Sequence, residues 1–225
     1  MLTSSITKFE HIRFLCSLNG VVANRIPCEY PEAQEDEMEA QLRFATNAVR
    51  KKLLYPEAFY IIEQTAVYFD SYGPRSKRPG FYFKHWWRSK KMSEFKHLAS
   101  SDPRARIESG VALLISQHDP ILFLNQQRGH ISFEGSIRAE NKKYPWLSSE
   151  DFNLYFVPEG TNFVYNSMTL PAFLKHDFRR PNIEKVCERL SEYEAILKSN
   201  ISLRTIQEVG TKHSRSEEQA KLHLA

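Results

Sequence analysis

Residues 111–133 read VALLISQHDPILFLNQQRGHISF. Three short runs, the apolar 111–115 and 121–124 and the mixed 130–133, are separated by the polar stretches 116–120 and 125–129. Runs of this length bounded by turn-forming residues read as strands, and separations of this size suit hairpin loops. The stretch therefore predicts an antiparallel β-meander. A further hairpin is expected from 153–157 and 162–165, joined through Pro158, Glu159 and Gly160.

Outward from this meander the pattern becomes helical. Pro31 can open a helix at its first position, where a missing N–H costs nothing. Met38, Leu42, Ala45, Val49 and Leu53 then line one face of it. Its start is acidic, from Glu29 through Glu39 without a Lys or Arg, and its end carries Arg50, Lys51 and Lys52, matching the helix dipole. After Pro56, Phe59, Ile62, Ala66 and Phe69 keep helical spacing, while Tyr60, Ile61 and Val67 admit a strand, so the type stays open; DSYGP at 70–74 ends the element. Nearer the start, Ile12, Phe14, Cys16 and Leu18 alternate with His11, Arg13, Leu15 and Ser17, of which Leu15 breaks the pattern, and predict a strand, a turn at Asn19 and Gly20, and a returning strand over 21–23. Towards the end, Pro181 opens a helix with Ile183, Val186, Leu190 and Leu197 on one face and Cys187 at its margin. Helices before and after a run of antiparallel strands place the chain in the α+β class. The expected organisation is one domain over 1–210 and a disordered polar tail over 211–225.

The 225 residues are 41% hydrophobic and 12% aromatic, enough for a well-buried core. Net charge is only +4, so placement matters more than total. Between 74 and 106 stand Arg75, Lys77, Arg78, Lys84, Arg88, Lys90, Lys91, Lys96, Arg104 and Arg106 against only Glu94 and Asp102, interleaved with Phe81, Tyr82, Phe83, Trp86 and Trp87. Basic side chains neutralise phosphates and flat rings stack on bases. The composition thus predicts a nucleic-acid-binding surface. Read as a strand, residues 83–88 put Lys84, Trp86 and Arg88 on a binding face and Trp87 on the core face, with Arg128 joining from the meander. The alternative is that the rings are core and the charges a solvated rim.

Catalytic signals are sparse. Asp119, Glu140 and Lys142 could serve a metal-dependent nuclease, two carboxylates holding magnesium and a lysine activating water. No nucleophile elbow and no phosphate-cradling glycine loop is present. Cys16 and Cys28, and His85 and His97, lack the close pairing of zinc ligands, so neither a metal nor a cofactor is called for. An odd count of three cysteines without a CxxC spacing, and the absence of a signal peptide or membrane span, predict a cytoplasmic protein. A third possibility is a protein-binding subunit whose acidic stretch, Glu32 to Glu39, docks on a basic partner.

The run FYFKHWWRSKK (81–91), the stretch LASSDP (98–103) and the meander at 111–133 together resemble the small large-subunit-type protein of type IV CRISPR complexes. That resemblance implies a non-catalytic subunit of an RNA-guided antiviral ribonucleoprotein, binding DNA or RNA beside other protein subunits. The N-terminal cysteine cluster of such proteins has no counterpart here.

Overall fold

The computed structural model describes residues 1–30, 36–50, 53, 58–73, 77–115, 118–134, 144–147 and 152–195. The chain divides into two compact units, Met1–Lys185 and Val186–Ala225. Of the second unit residues 186–195 are described; they are helical, bury Val186 and Cys187, and pair Arg189 with Glu192. The tail at 211–225 and Leu197 lie outside the described residues.

The first unit is an α+β fold around one antiparallel sheet. Its strands are β1 (Phe59–Phe69), β2 (Pro79–Gly80), β3 (Arg104–Ile115), β4 (Ile121–Ile131) and β5 (Phe156–Pro158), in the spatial order β2-β1-β3-β4-β5. The helices are α1 (Ile6–Leu18), α2 (Met38–Arg50), α3 (Phe83–Ser89), α4 (Met92–Ser101), α5 (Leu170–His176) and α6, which begins at residue 180.

Several local expectations change. Residues 6–18 form a helix where a strand is predicted. Ser5 accepts a hydrogen bond from the Lys8 N–H at its start, and at its end the Gly20 and Val21 N–H groups bond back to Ser17 and Cys16. Gly20, at φ 71°, supplies the left-handed turn this closure requires. The buried set, Phe9, Ile12, Leu15 and Cys16, is a helical stripe, and Leu18 is exposed. Residues 21–23 form no strand; Leu2 and Ile26 instead make a single parallel bridge. The open element at 59–69 is a strand. Residues 125–129 are part of β4, not a loop: Asn125 pairs with Ser109 and Gln127 with Ile107. Polar residues fit there because this strand is half exposed over most of its length. The second hairpin reduces to β5, and Tyr165 lies in a short 3-10 turn, Tyr165–Ser167.

Side-chain alternation gives the sheet two unlike faces. Tyr60, Ile62, Ala66 and Tyr68 of β1 meet Ala112 and Leu114 of β3 under Met38, Leu42, Ala45 and Val49, the stripe read from the sequence. Gly110 allows this approach, since a Cβ there would lie 2.6 Å from Met38 Cγ and 2.8 Å from Leu42 Cδ1. On the other face Val67, Phe69, Ala105 and Ile107 pack with Phe95, Trp146, Phe152 and Phe156. That second face also carries Glu63 and Thr65, the starting point of the site described below.

Gly110→Ala is expected to lower stability by about 1–3 kcal/mol in urea denaturation, the cost of overpacking the α2 contact. Adding Met38→Ala should recover part of that loss; unchanged stability of Gly110→Ala would refute the close α2 contact.

Candidate functional site

The basic and aromatic stretch is built as two short helices, not as a strand with a binding face. Trp86 and Trp87 are both half-buried against the same aromatic core. Trp87 meets Phe95 edge-on at 4.7 Å, while Trp86 lies 5.2 Å from Phe69 and donates to Tyr72 Oη at 3.1 Å. The predicted split between a stacking tryptophan and a core tryptophan therefore disappears. Helical spacing turns successive rings towards one side, where a strand would alternate them. The cations are dispersed: Lys77 pairs with Glu37, Lys90 with Glu94 at 3.1 Å, and Lys96 lies 5.7 Å over the Phe133 ring. Arg78, Lys84, Arg88 and Lys91 are exposed, and Arg128 is exposed on β4, opposite Arg106. Arg75 lies outside the described residues, as do Glu140 and Lys142; Asp119 is exposed at the β3–β4 connection. Among the described residues no group of three or more His, Cys, Asp or Glu comes together as a metal site. No helix among them is long and apolar enough to cross a membrane.

The structure instead gathers charge at a place the sequence reading passed over. Glu63, fully buried on β1, receives Lys8 from α1, with Nζ 2.9 Å from Oε2 and 3.1 Å from the Glu63 carbonyl. Arg179, in the turn before α6, reaches the other carboxylate oxygen from its Nε at 3.0 Å and donates from Nη2 to Thr65 Oγ1 at 2.9 Å. The Thr65 hydroxyl donates in turn to Glu63 Oε1 at 2.5 Å. The third guanidinium nitrogen, Nη1, is 3.3 Å from His11 Nδ1, and His11 Nε2 is 2.7 Å from Asp177 Oδ2. A guanidinium only donates, so Nδ1 accepts and the ring proton on Nε2 is donated to Asp177. Trp146 stacks on the imidazole at 5.2 Å with its plane 2° away.

Local structure explains the convergence. Lys8 and His11 stand three apart on α1 and so share a face. Asp177 Oδ1 accepts the Arg179 backbone N–H at 2.9 Å, folding the turn that presents the guanidinium. Neighbouring contacts seat this turn over the sheet: Asn182 donates to the Ser109 carbonyl and Asn125 to the Phe178 carbonyl, each at 2.9 Å. The Tyr165 hydroxyl donates to the His176 carbonyl at 2.6 Å; burial, and then the Asp177 charge, push that phenol well above its ordinary range, so it stays a donor.

Burial opposes the charge on Glu63, but Arg179 and then Lys8 outweigh it and hold the carboxyl at about 2. Asp177 behaves alike: burial is the largest influence, and the His11 ring and the Arg179 backbone and guanidinium overcome it, keeping the group below the usual carboxylate range. The two acids are buried, whereas the side chains of Lys8 and Arg179 keep 23% and 15% of their surface exposed. Two cations thus face outward over a buried counter-charge. Lys8 itself stands in the first turn of α1, whose Ile6 and Thr7 N–H groups have no helical carbonyl to meet, a setting that favours anions.

The fold is similar to that of solved Ham1 proteins. The Staphylococcus aureus Ham1 protein superposes with a TM-score of 0.60 at 12% identity, over 85% of this chain and 98% of that one. A HAM1 protein from Coxiella burnetii gives 0.60 at 13%, over 85% and 98%. A nucleoside-triphosphatase / dITP/XTP pyrophosphatase from Mycobacterium abscessus gives 0.54 at 15%, over 82% and 96%. No family model matches the sequence, and no curated protein matches it significantly. The likeness corrects the earlier expectations: the architecture belongs to proteins named as Ham1 and as nucleotide pyrophosphatases, not to a CRISPR subunit. The same fold likeness overturns the non-catalytic nucleic-acid-binding role read from residues 74–106, with the nucleic-acid and subunit partners it entails. The physical cause is that Phe83, Trp86 and Trp87 of α3 are half-buried against the aromatic core, so none of them stands free as a stacking platform.

Because its folded value lies below the ordinary 4.5, Glu63 contributes stability that is fully present above that pH and is lost as pH falls towards 2. This contribution is on the order of 3 kcal/mol at most. Glu63→Gln should unfold more readily at pH 7 and show a flatter stability curve between pH 4.5 and 2, with Asp177 keeping part of the slope; urea titrations across that range test it, and parallel curves would refute it.

Proposed function

We propose that this chain binds the phosphate chain of a nucleoside triphosphate at Lys8, Arg179 and the first turn of α1, and hydrolyses it to the monophosphate and pyrophosphate. The observation that carries the reading is the pair of partly exposed cations fixed by one buried carboxylate beside a helix N-terminus. Burying charges costs several kcal/mol each, and an apolar cluster of equal volume would serve stability as well or better. A perturbed, convergent set of this kind is what a functional site requires. The fold likeness to a protein named as a dITP/XTP pyrophosphatase supports the substrate class.

The chemistry follows from charge. When water attacks the α-phosphorus and the anhydride bond breaks, negative charge accumulates on the departing pyrophosphate. Lys8 and Arg179 neutralise it, in positions set before the substrate arrives. Glu63 stays ionised and acts as the counter-charge that aligns both cations; a carboxylate held at about 2 is too weak a base to take the proton of water at neutral pH.

The purified chain should release pyrophosphate from dITP, XTP or an ordinary nucleoside triphosphate, as resolved by ion-exchange chromatography. Lys8→Ala and Arg179→Ala, checked for folding by circular dichroism, should each lower kcat/KM about a hundredfold. Absence of both turnover and nucleotide binding in the folded wild-type chain would overturn the proposal.

A further inference from the structure

Arg179 has five N–H donors. Three are committed: Nε to Glu63, one N–H of Nη2 to Thr65 and one N–H of Nη1 to His11. One N–H on each terminal nitrogen then remains without a partner among the described residues, and a fork of two such donors suits two oxygens of a phosphate. Whether that fork points usefully depends on the guanidinium plane, which Glu63 and Thr65 pin along one edge only. The Phe178 ring, 4.4 Å from the guanidinium carbon, supports one flat side, and the remaining in-plane restraint comes from His11.

Resting on the function proposed above, we infer that His11 and Asp177 are a positioning pair: they hold the Arg179 guanidinium in the orientation that presents its free Nη1–H and Nη2–H to substrate phosphate, without touching substrate themselves. Asp177 acts twice. One carboxylate oxygen takes the Nε2 proton of His11 and so leaves Nδ1 as the acceptor that Arg179 needs; the other accepts the Arg179 backbone N–H and sets the turn. The stack on Trp146 and the tilted contact with Phe173 at 5.7 Å hold the imidazole plane. With side chains 2% and 0% exposed, His11 and Asp177 are too enclosed to meet a nucleotide directly.

The test uses the full chain and dITP. His11→Phe keeps a ring against Trp146 and removes both nitrogens, whereas His11→Asn keeps an acceptor near the Nδ1 position. His11→Phe should raise KM for dITP about tenfold with a smaller change in kcat, and His11→Asn should recover most of that loss. In an Arg179→Ala background His11→Phe should change KM less than about twofold, because its action runs through that guanidinium. A structural role alone would lower the melting temperature in both backgrounds and leave KM unmoved. An unchanged KM in His11→Phe, or an equal increase with and without Arg179, overturns the inference while leaving the proposed hydrolysis standing. A wild-type chain that neither binds nor hydrolyses dITP overturns both.

Discussion

A carboxylate in the middle of a buried strand must be neutralised or the strand cannot stay where it is. Glu63 meets this constraint with Lys8 and Arg179, residues from opposite ends of the first unit. The ion pairs therefore do more than offset desolvation. They tie α1 on one side and the 177–182 turn on the other to the same position of β1. Removing either partner would leave charge uncompensated in the interior, the costly case for a buried pair. Geometry at this point is over-determined, with Thr65, His11 and Asp177 each fixing one further degree of freedom.

The sheet supplies the stiffness that such a centre needs. One face is covered by the apolar stripe of α2, drawn close over Gly110. The other is apolar at the Phe69 end and polar where Glu63, Thr65, Ser109 and Asn125 lie. Asn125 on that face donates to the Phe178 carbonyl above it, and Asn182 of the overlying segment donates back to the Ser109 carbonyl, so the turn carrying Arg179 is seated by hydrogen bonds and not by packing alone. A site of this kind is preorganised: its cations are aligned before any anion arrives.

Much of the architecture was legible in the sequence. The α2 stripe of Met38, Leu42, Ala45 and Val49 is buried as its spacing implies, and the α+β class follows from the strands at 111–115 and 121–124. Failures came where two periods fit one set of residues. In α1 the alternation of Ile12, Phe14, Cys16 and Leu18 mimics a strand, and only burial of Leu15 with exposure of Leu18 reveals the helical stripe. In β4 the polar run 125–129 looked like a loop because a half-exposed strand needs few apolar residues. The site was harder still, since residues 8, 63 and 179 meet only in the fold. One local sign was available: Glu63 interrupts the apolar run Tyr60, Ile61, Ile62, and an acid there demands a partner. The charge count at 75–106 drew attention away from it, yet those cations are spread over separate surroundings.

The counter-charged pair over Glu63 is proposed as a phosphate site. A crystal structure of the chain soaked with dITP tests it most directly. The expected result is phosphate oxygens within hydrogen-bonding distance of Lys8 Nζ and the Arg179 guanidinium, at the first turn of α1. Nucleotide density elsewhere, with Lys8 and Arg179 still engaged only with Glu63, Thr65 and His11, would contradict it.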